Sequence, residues 1–187
     1  MNIIKKQTPH FTKGGNKKNV VSIHIMDGTL IGTTSWFAAP KSKVSAHYAV
    51  GAKGEIYKYV DENDVAWAQG MVRSPSSKIV LSRPGVNPNS YCISIDCEGK
   101  DLAKVPDLEI KTLVSLIQDI CTRNNIPMDR EHILGHYEIN SVTRSHCPSG
   151  DRSIMDKIVS MLAPDIMVNI SVKKSQLERI NQFIKSL

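Results

Sequence analysis

The apolar side chains of the chain recur with two different periods, and each period predicts a different kind of element. Within residues 20–28, β-branched side chains alternate with more polar ones. This alternation predicts a strand that carries Ser22 and His24 on one face and its β-branched side chains on the other. Residues 44–50 and 55–60 alternate in the same way on either side of a turn, which predicts a β-hairpin.

A further alternating stretch, residues 91–98, places two carboxylates on one face of a predicted strand. Asp96 and Glu98 alternate with Ile95 and Cys97, so the acids are expected to point away from the apolar side. The ordinary interpretation of such a pair is a solvated sheet edge, because charged residues are mostly exposed. Facing a pocket, the same carboxylates would be candidates for acid–base chemistry.

Apolar residues three to four positions apart predict helices elsewhere in the chain. One long helix is expected to begin at Pro106 and to stop near Asn124, and another to begin at Asp151 and to close at Pro164. The hydroxyl residues 33–35 offer an N-cap for a short helix. Because strands and helices are interspersed, the sequence predicts an α/β fold with a central mixed β-sheet flanked by helices.

Three stretches differ from this pattern. Residues 1–18 are polar and contain a Gly-Gly pair, and we expect an arm that leads into the sheet. Residues 71–90 are rich in Ser, Pro, Arg and Asn and predict a long irregular loop, which in a compact domain is usually functional or mobile. Residues 175–187 carry apolar side chains at helical spacing, so residues 164–187 are expected to be a C-terminal linker or an accessory helix.

Composition narrows the classes of protein to which the chain can belong. With 187 residues, 41% of them hydrophobic, and a mean hydropathy of −0.22, it suits one globular domain with a terminal appendage. No stretch approaches the roughly 18 uninterrupted apolar residues of a membrane span, so no stable membrane insertion is expected. The basic start has no apolar segment behind it, and we expect no export signal and synthesis in the cytoplasm.

The charge of the chain points to a polyanionic partner. The net charge is +6 and the pI is about 9.1, which favours association with anionic polymers in general. The basic residues are spread along the chain, and aromatic residues make up only 5% of it. This argues against nucleic acid, whose binding sites combine clustered basic residues with stacking aromatic ones. An anionic cell wall is the other candidate.

A polar, turn-rich segment at residues 135–150 contains a histidine and a cysteine, His136 and Cys147. The four cysteines of the chain form no CxxC pair and are expected to be thiols. Imidazole and thiolate are good ligands for a borderline-soft ion such as zinc, and His24 is the best candidate for a third ligand. Taken singly, these residues could be two hydrogen-bonded histidines and a buried thiol. Taken together, three protein ligands with one position left to water are the pattern of a catalytic zinc site.

Several short motifs occur in a fixed order between residues 19 and 162. They are Val21-Ser22-Ile23-His24, Ser45-Ala46-His47-Tyr48, Ala66-Trp67-Ala68-Gln69-Gly70, Ile93-Ser94-Ile95-Asp96-Cys97-Glu98-Gly99, Gly135-His136-Tyr137-Glu138 and Cys147-Pro148. In this order they resemble the type 2 N-acetylmuramoyl-L-alanine amidases, relatives of T7 lysozyme and of the peptidoglycan recognition proteins. Within that family the chain looks most like the catalytic domains of phage or prophage endolysins.

The resemblance implies a fold, an activity and a cofactor. Residues 1–163 would be a zinc amidase catalytic domain of the amidase and peptidoglycan-recognition-protein type, with one Zn²⁺ ion bound by His24, His136 and Cys147. Such an enzyme cuts the amide bond between N-acetylmuramic acid and L-alanine in bacterial peptidoglycan, which lyses the cell wall. By analogy with endolysins, it would reach the wall after the membrane is permeabilised. Residues 164–187 would lead to a wall-binding domain or serve in self-association.

The resemblance also implies catalytic residues, with departures from the family pattern. Asp96 stands where many members have a catalytic glutamate; because aspartate is one methylene shorter, Glu98 on the same strand face is a substitute base. Ser145 stands where many relatives have a lysine that stabilises the oxyanion, and where amidase-active recognition proteins have a threonine. The common histidine after the Ala-Trp pair is Ala68 here. The donor to the transition state is therefore open between Ser145 and its neighbours Arg144 and His146.

Two ring-bearing side chains are candidates for contact with the substrate. Trp67, in a polar loop, either lies against the substrate or packs in the core. His47 belongs to a motif of the family, but it alternates with Tyr48, so only one of the two can face the pocket. Packing is the more ordinary role for both of these strand residues.

Two other functions are compatible with the same residues. A non-catalytic module of this fold would hold peptidoglycan without cutting it; such relatives commonly lose the cysteine ligand, which is present here as Cys147. A Cys–His peptidase would use Cys147 as its nucleophile and His136 as its base. A chelator would abolish zinc-dependent hydrolysis and spare a thiol enzyme.

Overall fold

The computed structural model describes residues 1–162, and its centre is a six-stranded mixed β-sheet. In chain order, the strands are β1 (Ile3–Lys5), β2 (Phe11–Thr12), β3 (Val20–Ile25), β4 (Tyr48–Val50), β5 (Ile56–Lys58), β6 (Val65–Ala66), β7 (Cys92–Cys97) and β8 (Ile133–Gly135). The helices are α1 (Leu30–Ala38), α2 (Lys78–Leu81), α3 (Asp107–Asn124) and α4 (Ser153–Leu162). The order across the sheet is β1-β5-β4-β7-β3-β8, while β2 pairs separately with β6. The predicted α/β fold, a central mixed sheet with flanking helices, is confirmed.

Four neighbouring strands, β4, β7, β3 and β8, run parallel, so their carboxyl ends lie at the same edge of the sheet. The register places His24 directly beside Asp96, and Ile23 beside Gly135. Neighbouring strands lie about 4.8 Å apart, and His136 follows β8 without a break. Three side chains from distant parts of the sequence therefore meet at this edge.

The two faces of the sheet have different surroundings. On one face, Val21 and Ile23 of β3 and Ile93 and Ile95 of β7 are fully buried in one core with the apolar stripes of α3 and α4. Burial of each such side chain stabilises the fold by roughly 1.5–3 kcal/mol, so this face holds the sheet in place. The opposite face carries Ser22, His24 and Asp96, which leaves it available for a polar site.

Two predictions of local structure are wrong, and one strand was missed. The arm predicted for residues 1–18 is wrong, because β1 joins the sheet by pairing with β5 and β2 pairs with β6. The cap predicted at residues 33–35 is also wrong: Thr29 caps α1 by accepting a hydrogen bond from the amide of Gly32, and residues 33–35 lie inside the helix. Strand β8 was not predicted, because three residues are too few to display a period.

The other element predictions agree with the structure. Strands β4 and β5 pair antiparallel, as the predicted hairpin requires. The two long apolar stripes correspond to α3 and α4. Residues 71–90 are irregular apart from α2 and a 3₁₀ turn at Pro88–Ser90, and all four cysteines are free thiols.

The predictions for residues 164–187 lie outside the described residues, so a linker or accessory helix there, and a domain boundary near residue 163, stay predictions. Within residues 1–162, no helix is long and apolar enough to cross a membrane.

Candidate metal centre

His24, His136 and Cys147 converge at the carboxyl edge of the sheet. The Nδ1 atoms of His24 and His136 are 2.9 Å apart, and the two rings meet edge to face with their centroids 4.4 Å apart. A nitrogen or sulfur atom from each of the three residues lies within 4.8 Å of the others. Both histidines are buried, and Cys147 is partly exposed at the cleft. The predicted third ligand, His24, is therefore brought to the other two.

Backbone hydrogen bonds hold the cysteine against the end of β3. The amide of Ile25, next to His24, donates to the Cys147 sulfur at 3.4 Å. The Cys147 carbonyl accepts from the amide of Tyr137 at 2.9 Å, and the Cys147 amide donates to the Arg144 carbonyl at 3.0 Å. These contacts tie the cysteine loop to both histidine-bearing segments, so the sulfur position is fixed by the fold.

The outer nitrogen of each histidine contacts an oxygen atom. His136 Nε2 donates to the backbone carbonyl of Gln69 at 3.0 Å, and His24 Nε2 lies 3.2 Å from the Ser22 hydroxyl. Metal binding through both Nδ1 atoms requires the hydrogens on both Nε2 atoms, and the carbonyl of Gln69 already imposes this on His136. Second contacts of this kind are typical of metal-binding histidines, where they fix the ring orientation and the tautomer.

The donor set fits a single borderline-soft ion. Two imidazole nitrogens and one thiolate match zinc, and a fourth position open to the cleft is typical of a catalytic rather than a structural site. Two nitrogens bound tetrahedrally to one zinc ion would lie roughly 3.3 Å apart, close to the 2.9 Å between the Nδ1 atoms. The residues present therefore fit one metal ion.

Burial favours the neutral forms of all three side chains in the metal-free protein. It lowers the pKa of His24 well below its usual value, with further lowering from His136 and Arg144. Burial also lowers the pKa of His136 to about 4, against an opposing hydrogen bond to Gln69. It raises the pKa of the Cys147 thiol to about 12. The site thus holds neutral imidazoles ready to bind, but it needs a cation to balance a thiolate.

Asp96 lies on the floor of the same cleft, on the strand next to His24. Its carboxylate accepts no hydrogen bond from the residues that the structure describes, and removal from water raises its pKa to about 7. A carboxylate with a pKa near neutrality is suited to take up a proton and to give it back. Of the two predicted acids, Asp96 is therefore the one that lines the cleft and has a raised pKa.

Glu98 is placed differently, and the prediction that it shares the pocket with Asp96 is wrong. Its carboxylate accepts from the backbone amides of Leu30 at 3.0 Å and Ala52 at 2.8 Å. Glu98 lies just beyond the end of β7, where the strand pleat no longer sets its direction. It connects the start of α1 to the loop after β4 and does not line the cleft.

His47 is also placed away from the cleft, so its predicted contact with substrate is wrong. The residue is 1% exposed, and its Nδ1 interacts with the amide and hydroxyl of Ser94 at 3.0 Å each. Its Nε2 lies 3.2 Å from the Asn16 side-chain amide and 3.1 Å from the Asp64 carbonyl. Both ring nitrogens are occupied inside the protein, which is the packing role that the sequence left open.

Trp67 and Ser145 both line the cleft, which has a volume of about 530 Å³. Trp67 is partly buried, and its Nε1 donates to the Thr12 hydroxyl at 3.1 Å, so one edge of the ring is fixed. Ser145 is partly exposed between Arg144 and His146, and all three line the cleft beside Cys147. These placements agree with the roles predicted for Trp67 and Ser145 and leave the roles themselves as proposals.

Sequence reasoning missed three residues of the site. Trp36, on α1, lines the cleft and is 47% exposed, and Lys100 adds a positive charge to the rim. Gln69 lies behind the histidines and contacts both of their hydrogen-bond networks. Trp36 had one weak signal, an aromatic residue on a short helix. Gln69 belonged to one of the motifs behind the family resemblance but was given no role, and nothing in the pattern marked Lys100.

Comparison with known proteins identifies the family. The sequence model of a family described as N-acetylmuramoyl-L-alanine amidase matches residues 14–150. Because the match covers most of the chain and includes every residue of the metal centre, the chain belongs to the N-acetylmuramoyl-L-alanine amidase family. N-acetylmuramoyl-L-alanine amidase A of Achromobacter lyticus is 27% identical over 120 residues, which are 63% of this chain. The match spans 59% of the length of that relative.

Solved structures share the fold at low sequence identity. A selenomethionine derivative of AmpD superposes with a TM-score of 0.66 at 19% identity, over 83% of this chain and 93% of that one. The catalytic domain of XlyA gives a TM-score of 0.66 at 17% identity, over 87% of this chain and 99% of that one. These similarities confirm the predicted amidase-type architecture.

Proposed function

We propose that this chain is a zinc-dependent hydrolase that cleaves the amide bond between N-acetylmuramic acid and L-alanine in peptidoglycan. The observation that carries the proposal is the convergence of His24, His136 and Cys147 in an open cleft beside Asp96, in a member of this family. The curated relative carries the name of the same activity. A wall-lysing role of the endolysin type, with a phage or prophage origin, is part of the proposal. It is supported by the likeness to a chain described as a mutant endolysin from Bacillus subtilis.

In this proposal His24, His136 and Cys147 hold one Zn²⁺ ion, which would polarise the scissile carbonyl and lower the pKa of the attacking water to about 7. Asp96 accepts the proton of that water and delivers it to the departing alanine nitrogen. This role is supported by the position of Asp96, which lines the same cleft as the three ligands. A general acid–base of this kind contributes roughly 10²- to 10⁴-fold to the rate.

The rim of the cleft supplies the remaining functions. The Ser145 hydroxyl is the proposed donor to the oxyanion, with the positive charge of Arg144 beside it. Trp36 and Trp67 both line the cleft, and a sugar ring or the lactyl group can pack against either ring. Lys100 and Arg144 also line the cleft, and their positive charges suit the carboxylates of a peptidoglycan stem peptide.

Digestion of purified peptidoglycan followed by mass spectrometry tests the proposal. We expect new free amino-terminal L-alanine, loss of this product after chelation, and its return when Zn²⁺ is added. Cys147→Ser should lower both the bound zinc and the product, because a serine hydroxyl is a poor substitute for a thiolate ligand. As a matched control, Cys121→Ser changes a cysteine in the α3 core and should leave the zinc stoichiometry unchanged.

The same digestion separates the rival functions. A binding module would retain peptidoglycan but release no product, and a thiol peptidase would keep its activity in chelator. New reducing sugar ends in place of L-alanine would identify a glycosidase and contradict the proposal.

A further inference from the structure

Gln69 is buried behind the candidate metal centre and reaches both histidines. The residue is 1% exposed and follows β6 by three positions. Its backbone carbonyl accepts the hydrogen bond from His136 Nε2 at 3.0 Å. Its side-chain amide donates to the Ser22 hydroxyl, which lies 3.2 Å from His24 Nε2. One residue thus contacts, directly or through Ser22, the outer nitrogen of each imidazole ligand.

The position of Gln69 is itself fixed by the protein. The side-chain oxygen of Asn89, in the 3₁₀ turn at Pro88–Ser90, accepts from the amide of Ala68 at 3.0 Å and from that of Gln69 at 2.8 Å. Asn89 is in turn held by Asn87, whose side-chain oxygen accepts from its amide at 3.0 Å. The loop that carries Gln69 is therefore attached to a second segment, so its carbonyl and side chain have defined directions.

The two contacts fix the tautomer of one histidine and the position of the other. A backbone carbonyl can only accept, so His136 must carry its hydrogen on Nε2 and keep a lone pair on Nδ1. The Gln69 amide donates to the Ser22 hydroxyl oxygen and holds it 3.2 Å from His24 Nε2, where the hydroxyl can also accept from Nε2–H once Nδ1 binds a metal ion. Both Nδ1 atoms lie beside the space that also contains the Cys147 sulfur.

Packing alone does not explain an amide at this position. The Gln69 side-chain oxygen is buried without a hydrogen-bond partner among the described residues, and such an oxygen is destabilising in a protein interior. An unbranched apolar side chain of the same length would fill the space without that penalty. The amide nitrogen, by contrast, has a hydrogen-bond partner, the Ser22 hydroxyl.

We propose that Gln69 is a positioning residue that holds His24 and His136 with their Nδ1 atoms directed at the metal ion, acting on His24 through Ser22. The proposal rests on the zinc site of the proposed function. It concerns the affinity of that site for metal, since second contacts of this kind typically change metal affinity 10- to 100-fold. The relevant measurement is thus zinc binding rather than catalysis.

The test measures Zn²⁺ dissociation constants of metal-free protein by competition with a chromophoric chelator. Gln69→Met keeps the length of the side chain and the backbone carbonyl but removes the amide, so only the contact to His24 is lost. We expect about tenfold weaker zinc binding, at the lower end of the usual range. The melting temperature of the metal-free protein should be unchanged or higher, because the unpartnered oxygen is gone. Gln118→Met, on α3, is the matched control and should bind zinc like the unchanged protein.

Ser22→Ala provides the second variant and closes a double-mutant cycle. If Gln69 acts through Ser22, Ser22→Ala should weaken zinc binding to a similar degree, and the double variant should be no weaker than the single ones. Independent, additive losses would overturn the proposal, as would unchanged zinc affinity in Gln69→Met. Either result leaves the proposed function standing if the unchanged chain binds one zinc ion. Failure of the unchanged chain to bind zinc would overturn both.

Discussion

Replacement of Asp96 by Asn should stabilise the metal-free protein while it removes catalysis. Asp96 is ionised in the unfolded chain above its usual pKa of 3.8, but burial raises its pKa in the folded protein to about 7. Asparagine has nearly the same shape and no charge, so it avoids the desolvation that the carboxylate undergoes. A residue whose removal stabilises the fold and abolishes turnover is typical of a functional site.

The magnitude follows from the pKa difference. Each pKa unit corresponds to about 1.4 kcal/mol, so a shift from 3.8 to about 7 corresponds to at most roughly 4 kcal/mol at alkaline pH. Because the carboxylate opens onto the cleft, where water screens its charge, we expect about half of this value. Between pH 4 and 7 the folded state binds more protons at Asp96 than the unfolded state does, so stability falls as the pH rises through this window.

Urea unfolding of metal-free protein at pH 5 and pH 8.5 measures the effect. Asp96→Asn should raise the free energy of unfolding by about 2 kcal/mol at pH 8.5 and by clearly less at pH 5, where the native carboxyl is already protonated. Asp107→Asn, at an exposed position at the start of α3, is the control and should not raise the free energy of unfolding at pH 8.5, because its carboxylate is already in water. In the zinc-loaded protein, amide hydrolysis should fall roughly 10²- to 10⁴-fold. If Asp96→Asn changed the free energy of unfolding by the same amount at both pH values, or if the variant kept full activity, the assignment of Asp96 would be refuted.

Two further substitutions distinguish a residue that stabilises the fold from a residue that acts in catalysis at the same edge of the sheet. Glu98→Ala removes the acceptor of the Leu30 and Ala52 amides, so we expect about 1.5–3 kcal/mol of lost stability for this charged acceptor. The activity of the fraction that remains folded should be nearly unchanged, and a large fall in kcat would return Glu98 to the catalytic site. Ser145→Ala should lower kcat roughly 10²- to 10³-fold with little change in KM or melting temperature if its hydroxyl stabilises the oxyanion. Unchanged kcat would transfer that role to a neighbouring group, which Arg144→Gln would then test in the same assay.

The positions of the metal ligands depend both on local strand alternation and on the pairing of strands far apart in the sequence. The alternation in β3 is a local property, so the sequence alone placed His24 on the face opposite Ile23. The meeting of His24 with His136 depends on the parallel pairing of β3 with β8, a strand too short to have a period of its own. Before the structure, the two residues were connected only by the chemistry of metal ligands and by an order of motifs shared with a family.

Asp96 and Glu98 show that strand alternation predicts the direction of a side chain only within the strand. Asp96 lies inside β7, and its direction follows the pleat, as the sequence predicts. Glu98 lies beyond the strand end, where backbone amides from two other segments determine where the carboxylate points. The two carboxylates could therefore be told apart only from the tertiary structure. His47 is similar, because its partners Asn16, Asp64 and Ser94 come from three segments remote in sequence.

The sequence by itself determined the fold class, the apolar faces of its main strands and helices, and the three residue types able to hold a metal ion. These properties depend on residues a few positions apart, so they can be recognised in the sequence itself. The tertiary structure alone decided that Asp96 rather than Glu98 faces the cleft, that His47 is enclosed, and that Gln69 supports both imidazoles. Each of these depends on hydrogen bonds between segments far apart in the chain, and such contacts leave no local pattern.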